Sequence, residues 1–182
     1  MKQQSFQRTN CDHRFCHGGE LRNSRLGRGI RPLSTKVPLH VVFKIRGGSL
    51  KKGLRSPEAF SCVHKLIGRC SKKFFVKIEQ FSVNADHIHL LLRCSKRSMF
   101  HHFFRVLAGQ IAQQLTGTQN KKKEGLGIWK SRPWSRVIKG YKNYVTVRNY
   151  VLLNKKEAEG KIAYRKERTR GLSEELLREL WT

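Results

Sequence analysis

Two histidines one residue apart, His87 and His89, sit in the run Asp86-His87-Ile88-His89-Leu90-Leu91-Leu92. The run reads as a β-strand. Side chains two apart in a strand project from the same face, so both imidazoles point one way while Ile88, Leu90 and Leu92 point the other. At a rise of ~3.3 Å per residue their origins stand roughly 6–7 Å apart, close enough for the two rings to converge on one metal ion. This is half of a metal site. A solvated strand face would show the same pattern, so the remaining ligands have to be sought elsewhere in the chain.

A second pair with chemical potential lies further on. Tyr150 and Asn154 are four residues apart in a segment with helical spacing, residues 141–159, which puts a phenol and an amide on one face. If that helix crosses near the His87 strand, the two pairs share one site. The other tyrosines of this half read differently. Tyr141 and Tyr144 fall on a stripe with Val145, Arg148 and Leu152, where core packing is the simplest account. Tyr164 has no ligand-like neighbour at helical spacing.

The elements that must position these groups follow from the hydrophobic pattern. Leu39, Val41, Phe43 and Ile45 alternate with His40, Val42, Lys44 and Arg46, giving a first strand that Gly47-Gly48 ends. Ser56-Pro57 starts a helix running to about Cys70, with Phe60, Val63, Leu66 and Ile67 facing the core. Residues 74–84 form a strand that turns at Ala85-Asp86 into the His87 strand. Phe100, Phe103, Phe104, Leu107, Ile111 and Leu115 mark a helix over 97–115, which leaves His101 and His102 on its outer surface. The segment 128–138, interrupted by Pro133, reads as an edge strand or an extended pair. A short amphipathic helix over 173–181 closes the chain.

The order strand, helix, strand, strand, helix, strand is that of an α+β, ferredoxin-like antiparallel sheet with helices packed on one face, leaving the other face free. The chain is expected to divide into a basic arm, disordered or loosely docked, at residues 1–36, a nuclease-like domain at residues 37–160, and a basic segment with a short helix at residues 161–182.

Charge indicates the partner. The 182 residues hold 39 Lys and Arg against 12 Asp and Glu, a formal net charge of +27. Such a surface attracts polyanions, with nucleic acid the leading candidate. A membrane is not expected, because no run of 18 apolar residues, secretory signal or broad amphipathic face occurs. Lys44, Arg46 and Arg148, together with the basic residues Lys130, Arg132 and Arg136 interleaved around Trp134, are the expected nucleic-acid contacts, the tryptophan by stacking on unpaired bases. Lys121-Lys122-Lys123 could track phosphates or be a solvated charge run. Five cysteines, odd in number and irregularly spaced, argue against a disulfide framework and for a reducing compartment. Cys11, His13, Cys16 and His17 match no usual zinc-finger spacing.

Taken together, the histidine pair, Trp129-Lys-Ser-Arg-Pro133-Trp134 and Arg148-Asn-Tyr150-Val-Leu-Leu-Asn154 resemble the single-tyrosine HUH transposases of insertion sequences, above all the REP-associated tyrosine transposases. The resemblance covers about residues 37–160. It implies a bacterial, cytoplasmic enzyme, a monomer or homodimer, that cuts and rejoins single-stranded or hairpin DNA as endonuclease and strand transferase. It implies Tyr150 as the nucleophile, forming a 5′-phosphotyrosine, and His87, His89 and Asn154 as ligands of a divalent metal. Magnesium or manganese comes from the family; two imidazoles and an amide would equally take zinc or nickel. The chain departs from many relatives in having Leu33-Ser-Thr-Lys-Val-Pro-Leu39 before the first strand and Lys155, not proline, after Asn154. The alternative reading is a basic nucleic-acid-binding protein without catalysis, such as a transposase-derived repressor or an RNA-binding protein.

Overall fold

In the computed structural model, which describes residues 14–23, 29–117 and 127–181, the sheet is built from five strands in the order β1-β5-β2-β4-β3, all pairs antiparallel. They are β1 (Cys16–His17), β2 (Leu39–Lys44), β3 (Val76–Val83), β4 (His87–Cys94) and β5 (Trp134–Val137). The helices are α1 (Pro57–Lys73), α2 (Arg97–Thr116), α3 (Tyr141–Ala158) and α4 (Glu174–Trp181). Chain order β2-α1-β3-β4-α2-β5 and sheet order β5-β2-β4-β3 make the split β-α-β arrangement of a ferredoxin-like α+β fold.

Local signals set the ends of these elements. The Ser56 hydroxyl accepts the Ala59 N–H at 3.4 Å and Pro57 occupies the first helical position, where its missing N–H costs nothing. The β3–β4 hairpin closes with Asn84 N–H donating to the His87 carbonyl at 2.8 Å. Strand alternation then sorts the side chains. Leu39, Val41, Phe43, Ile88, Leu90 and Leu92 face α1 and α2 and form the main core with Val63, Leu66, Phe103, Leu107 and Ile111. Burying each such side chain is worth about 1.5–3 kcal/mol, so this face carries most of the fold's stability.

The opposite face is polar, and α3 crosses it. Leu91, on the histidine side of β4, packs with Ile138, Val147, Tyr150 and Val151. The crossover helices α1 and α2 thus lie on one face, and the expected free face is in part covered. The stripe of α3 that meets the sheet is Val147, Tyr150, Val151 and Asn154; of the two tyrosines expected in the core, Tyr144 is half-buried and packs against that cluster, whereas Tyr141 is 79% exposed. Facing a sheet lined by histidines, the helix turns in the side that can match them.

One further expectation is corrected. The strand 128–138 is not an edge: β5 lies between β2 and β1, because Cys16 and His17 of the basic arm pair with Arg136 and Ser135. Gly18 allows this approach. It has φ +81°, and a Cβ there would stand 2.2 Å from the Pro133 carbonyl oxygen. Arg31 adds to the docking by donating to Ser135 Oγ at 2.6 Å and to the Pro133 carbonyl at 2.8 Å. Cys16 is disulfide-bonded, while Cys62, Cys70 and Cys94 are free thiols. Cys11, His13 and Lys121 to Lys123 lie outside the described residues. His101 and His102 are exposed on α2. Among the described residues no helix is long and apolar enough to cross a membrane.

Candidate active site

The hairpin turn fixes the first imidazole. The Asp86 carboxylate accepts from His87 Nδ1 at 2.5 Å, and the Asn84 amide N–H approaches His87 Nε2 at 3.0 Å. A carboxylate can only accept, so Nδ1 carries the proton and Nε2 the lone pair, the arrangement that suits a metal-binding histidine. The same hydrogen bond holds the Asp86 carboxyl down to about 2, with smaller help from Lys44, whose ammonium stands 3.6 Å from it. The turn is braced from outside. Leu54 N–H donates to the Ala85 carbonyl at 2.8 Å, and Gly53, at φ +66°, leaves room for that contact.

His89 follows on the same face, its ring centre 4.6 Å from that of His87. A third histidine meets it: His40 of β2 places Nε2 3.1 Å from His89 Nδ1. Burial drives both imidazoles below their ordinary pKa, His40 to about 3 with further lowering by Arg136 and His87. Both are therefore neutral, and one of the two facing nitrogens holds the shared proton. His89 Nε2 is buried and has no hydrogen-bond partner.

Helix α3 supplies the rest. The Tyr150 ring stands edge-on to His89 at 5.3 Å and is 6% exposed. Burial pushes its phenol pKa up, while Arg168 and a hydrogen bond with the Asn154 side chain pull it back. One turn later, Asn154 is buried; its Nδ2 donates to the Tyr150 carbonyl at 2.6 Å and its Oδ1 accepts from Arg168 Nη2 at 2.8 Å. Arg168 also gives Nη1 to both carboxylate oxygens of Glu157, at 2.9 and 2.8 Å.

The fold thus brings His87, His89, Tyr150 and Asn154 onto one sheet face. These residues fit a divalent cation: His89 Nε2 is an unspent buried nitrogen, His87 Nε2 offers a lone pair in place of the Asn84 contact, and an amide oxygen keeps a second lone pair beside the one given to Arg168. No group of three or more His, Cys, Asp or Glu side chains able to hold a metal occurs among the described residues.

The expected nucleic-acid contacts are more scattered. Lys44 pairs in register with His87 at the open end of the site, and Arg136 lies opposite His40. Arg46 is half-buried, and Lys130 and Arg132 are exposed before β5, Lys130 paired with Glu20 at 2.8 Å. Arg148 stacks over Trp181 at 4.0 Å. Trp134 is no stacking platform for bases. It is 2% exposed, closed in by Cys16 and Val42 and by Gly19, with its ring edge-on to His40 at 5.4 Å. Addition of β1 turned its strand into an inner one.

His40, Asn84, Asp86, Glu157 and Arg168 escaped the sequence reading. Alternation places His40 on the Lys44 face of β2, but only the register Val42↔His89 reveals which face that is. Arg168 carries no signal at all, being one cation in a run of them.

Comparison with known proteins bears on the family and the fold. The family described as "Transposase IS200 like" matches residues 35–152. Among solved structures, a REP-associated tyrosine transposase bound to a REP hairpin superposes with a TM-score of 0.58 at 17% identity, covering 74% of this chain and 75% of that one. A candidate transposase from Deinococcus radiodurans R1 gives 0.43 at 13% identity, covering 75% and 98%. No curated protein matches the chain. With the family profile spanning most of the folded domain, including both histidines and the tyrosine, the chain belongs to the IS200-like transposases.

Proposed function

We propose that the protein cuts and rejoins single-stranded DNA through a 5′-phosphotyrosine on Tyr150, with His87, His89 and Asn154 holding a divalent cation, magnesium or manganese. The carrying observation is that the buried Tyr150 ring stands 5.3 Å from the buried His89 ring, whose Nε2 has no hydrogen-bond partner, between α3 and β4. Family membership supports the reaction class, and the hairpin bound by the structural neighbour supports single-stranded or hairpin DNA as substrate.

The chain's residues divide the work. Asp86 orients His87, and His40 orients His89, so that each ring offers a fixed nitrogen. A bound cation would supply neutralisation of charge on the scissile phosphate. Tyr150 Oη attacks phosphorus as the bond to the 3′ oxygen breaks; the phenol proton leaves and the departing oxygen takes up another. The phosphotyrosine conserves the bond energy, so rejoining needs no nucleotide cofactor. Unpaired DNA suits a site recessed between helix and sheet, and the net charge of +27 supplies affinity for phosphates. The test is incubation with labelled single-stranded oligonucleotides and manganese, followed by denaturing electrophoresis. A covalent protein–DNA band lost in Tyr150→Phe is the expected result; binding without any band would favour the non-catalytic reading.

A further inference from the structure

Among the cations of segment 161–170, Arg168 is singled out by its place. Its guanidinium carbon lies 5.3 Å from the Tyr150 ring and 5.2 Å from that of Tyr164, and one nitrogen is 2.8 Å from Asn154 Oδ1. Glu157 holds the opposite side through both carboxylate oxygens. The backbone also adopts φ +57° at Arg168, a left-handed conformation that a side-chain-bearing residue takes at a cost. A strained backbone and a half-neutralised arginine would be an odd way to build a solvated loop. The side chain is only 16% exposed, although most of its neighbours in the segment are free in water. Residue 168 also lies beyond the family match at residues 35–152, so family membership assigns it nothing.

We propose that Arg168 is a further catalytic residue, whose guanidinium receives a non-bridging oxygen of the scissile phosphate as Tyr150 attacks. The inference rests on the phosphotyrosine reading above. A guanidinium has five N–H donors in a planar fork; Nη1 serves Glu157 and the Arg165 carbonyl and one Nη2 hydrogen serves Asn154, which leaves two donors, and the guanidinium also bonds the Tyr150 side chain. Phosphoryl transfer gathers charge on the equatorial oxygens, and a cation held in position beside the nucleophile stabilises that charge without reorganising. In the step, the Oη–P bond forms and the P–O3′ bond breaks. The phenol proton goes to solvent and the 3′ oxygen takes one back; Arg168 stays protonated throughout.

The experiment compares covalent adduct formation on a single-stranded oligonucleotide, with manganese, by the full chain and by Arg168→Ala, Arg168→Gln and Arg168→Lys. Removing one such donor from a transition state lowers the rate by about 100-fold or more. The expected result is that loss in Arg168→Ala and Arg168→Gln, partial recovery in Arg168→Lys, and acceleration of Arg168→Ala by added guanidinium ion but not by ammonium. Melting temperature and oligonucleotide affinity, measured alongside, should stay close to wild type for Arg168→Gln, which can still bond Glu157 and Asn154. An Arg168→Ala variant as fast as wild type would overturn the proposal. One faster than wild type would do so too, making the guanidinium a plug on Asn154. Slow variants with lowered melting temperature and no guanidinium rescue would reduce Arg168 to a structural strut. If the wild-type chain itself forms no adduct, both this inference and the phosphotyrosine reading fall; adduct in wild type with no Arg168 effect sinks this one alone.

Discussion

The two faces of the sheet obey different rules. On one, Leu90, Ile88 and Phe43 meet Phe103 and Leu107 in a core where any apolar side chain of the right volume would serve. On the other, four neighbouring polar side chains, His40, His87, His89 and Asn154, are almost as deeply buried, yet each is placed by a specific partner: His40 by His89, His87 by Asp86, Asn154 by Arg168. Burial of a polar group without a hydrogen bond costs about 1–3 kcal/mol, so this face adds little to stability and must justify itself through chemistry. The comparison teaches where mutation should separate folding from activity.

The sharpest separation is expected at Tyr150. Replacing it with Phe removes one oxygen and almost no volume, so the covalent DNA adduct should vanish while the urea midpoint and DNA affinity hardly move. An adduct mapped to Tyr141, Tyr144 or Tyr164 instead would break the assignment. Next, His87→Ala with His89→Ala should abolish metal-dependent cleavage and the stabilisation that manganese gives in a thermal melt, while nonspecific DNA binding persists on the basic surface. Cleavage unchanged in the double variant would remove the metal site.

Leu90→Ala tests the other face. It should cost about 2–5 kcal/mol in urea denaturation, by lost burial and cavity formation, and reduce activity only in proportion to unfolded protein. A specific loss of activity in folded Leu90→Ala would mean that the faces are coupled.

Acid should expose the polar face first. His40 and His89 have folded pKa values pushed below the ordinary value of about 6.5 by burial, so below that pH the unfolded chain binds protons that the folded one refuses. Stability of the metal-free protein should therefore fall as pH drops from about 6.5, by up to about 1.4 kcal/mol per pH unit for each histidine, until the folded pKa is reached. For His40 that end lies at about 3. Asp86, held down to about 2, adds its own loss only at lower pH. His40→Gln should flatten the slope in urea titrations between pH 6 and pH 4; an unchanged slope would mean that His40 charges without unfolding. The smallest effect concerns the surface. If the strand contacts ~6 phosphates, log K should fall with log salt at a slope of about −4, and reversing one exposed charge, at Arg132, should shift the slope by about one unit. A flat dependence would point to a neutral partner.

Much of this molecule is written in its periodicities. Alternation in 87–94 sends both histidines one way and Ile88, Leu90 and Leu92 the other, and i, i+4 spacing puts Tyr150 beside Asn154; these are properties of single elements, fixed by backbone geometry. The element order likewise determines the split β-α-β topology. Periodicity says which residues share a face but not what covers it. Trp134 among basic residues looks like a base-stacking platform until Cys16 and His17 add a strand beside it. Tyr141 looks like core until α3 lies on a sheet face lined with histidines and turns its Tyr150 side inward, which leaves Tyr141 exposed. His40 meets His89 only through strand register, and Arg168 reaches Tyr150 only because the chain doubles back after α3. Those contacts join residues 49 and 18 positions apart in sequence. No local pattern spans such distances, so tertiary packing alone decided them.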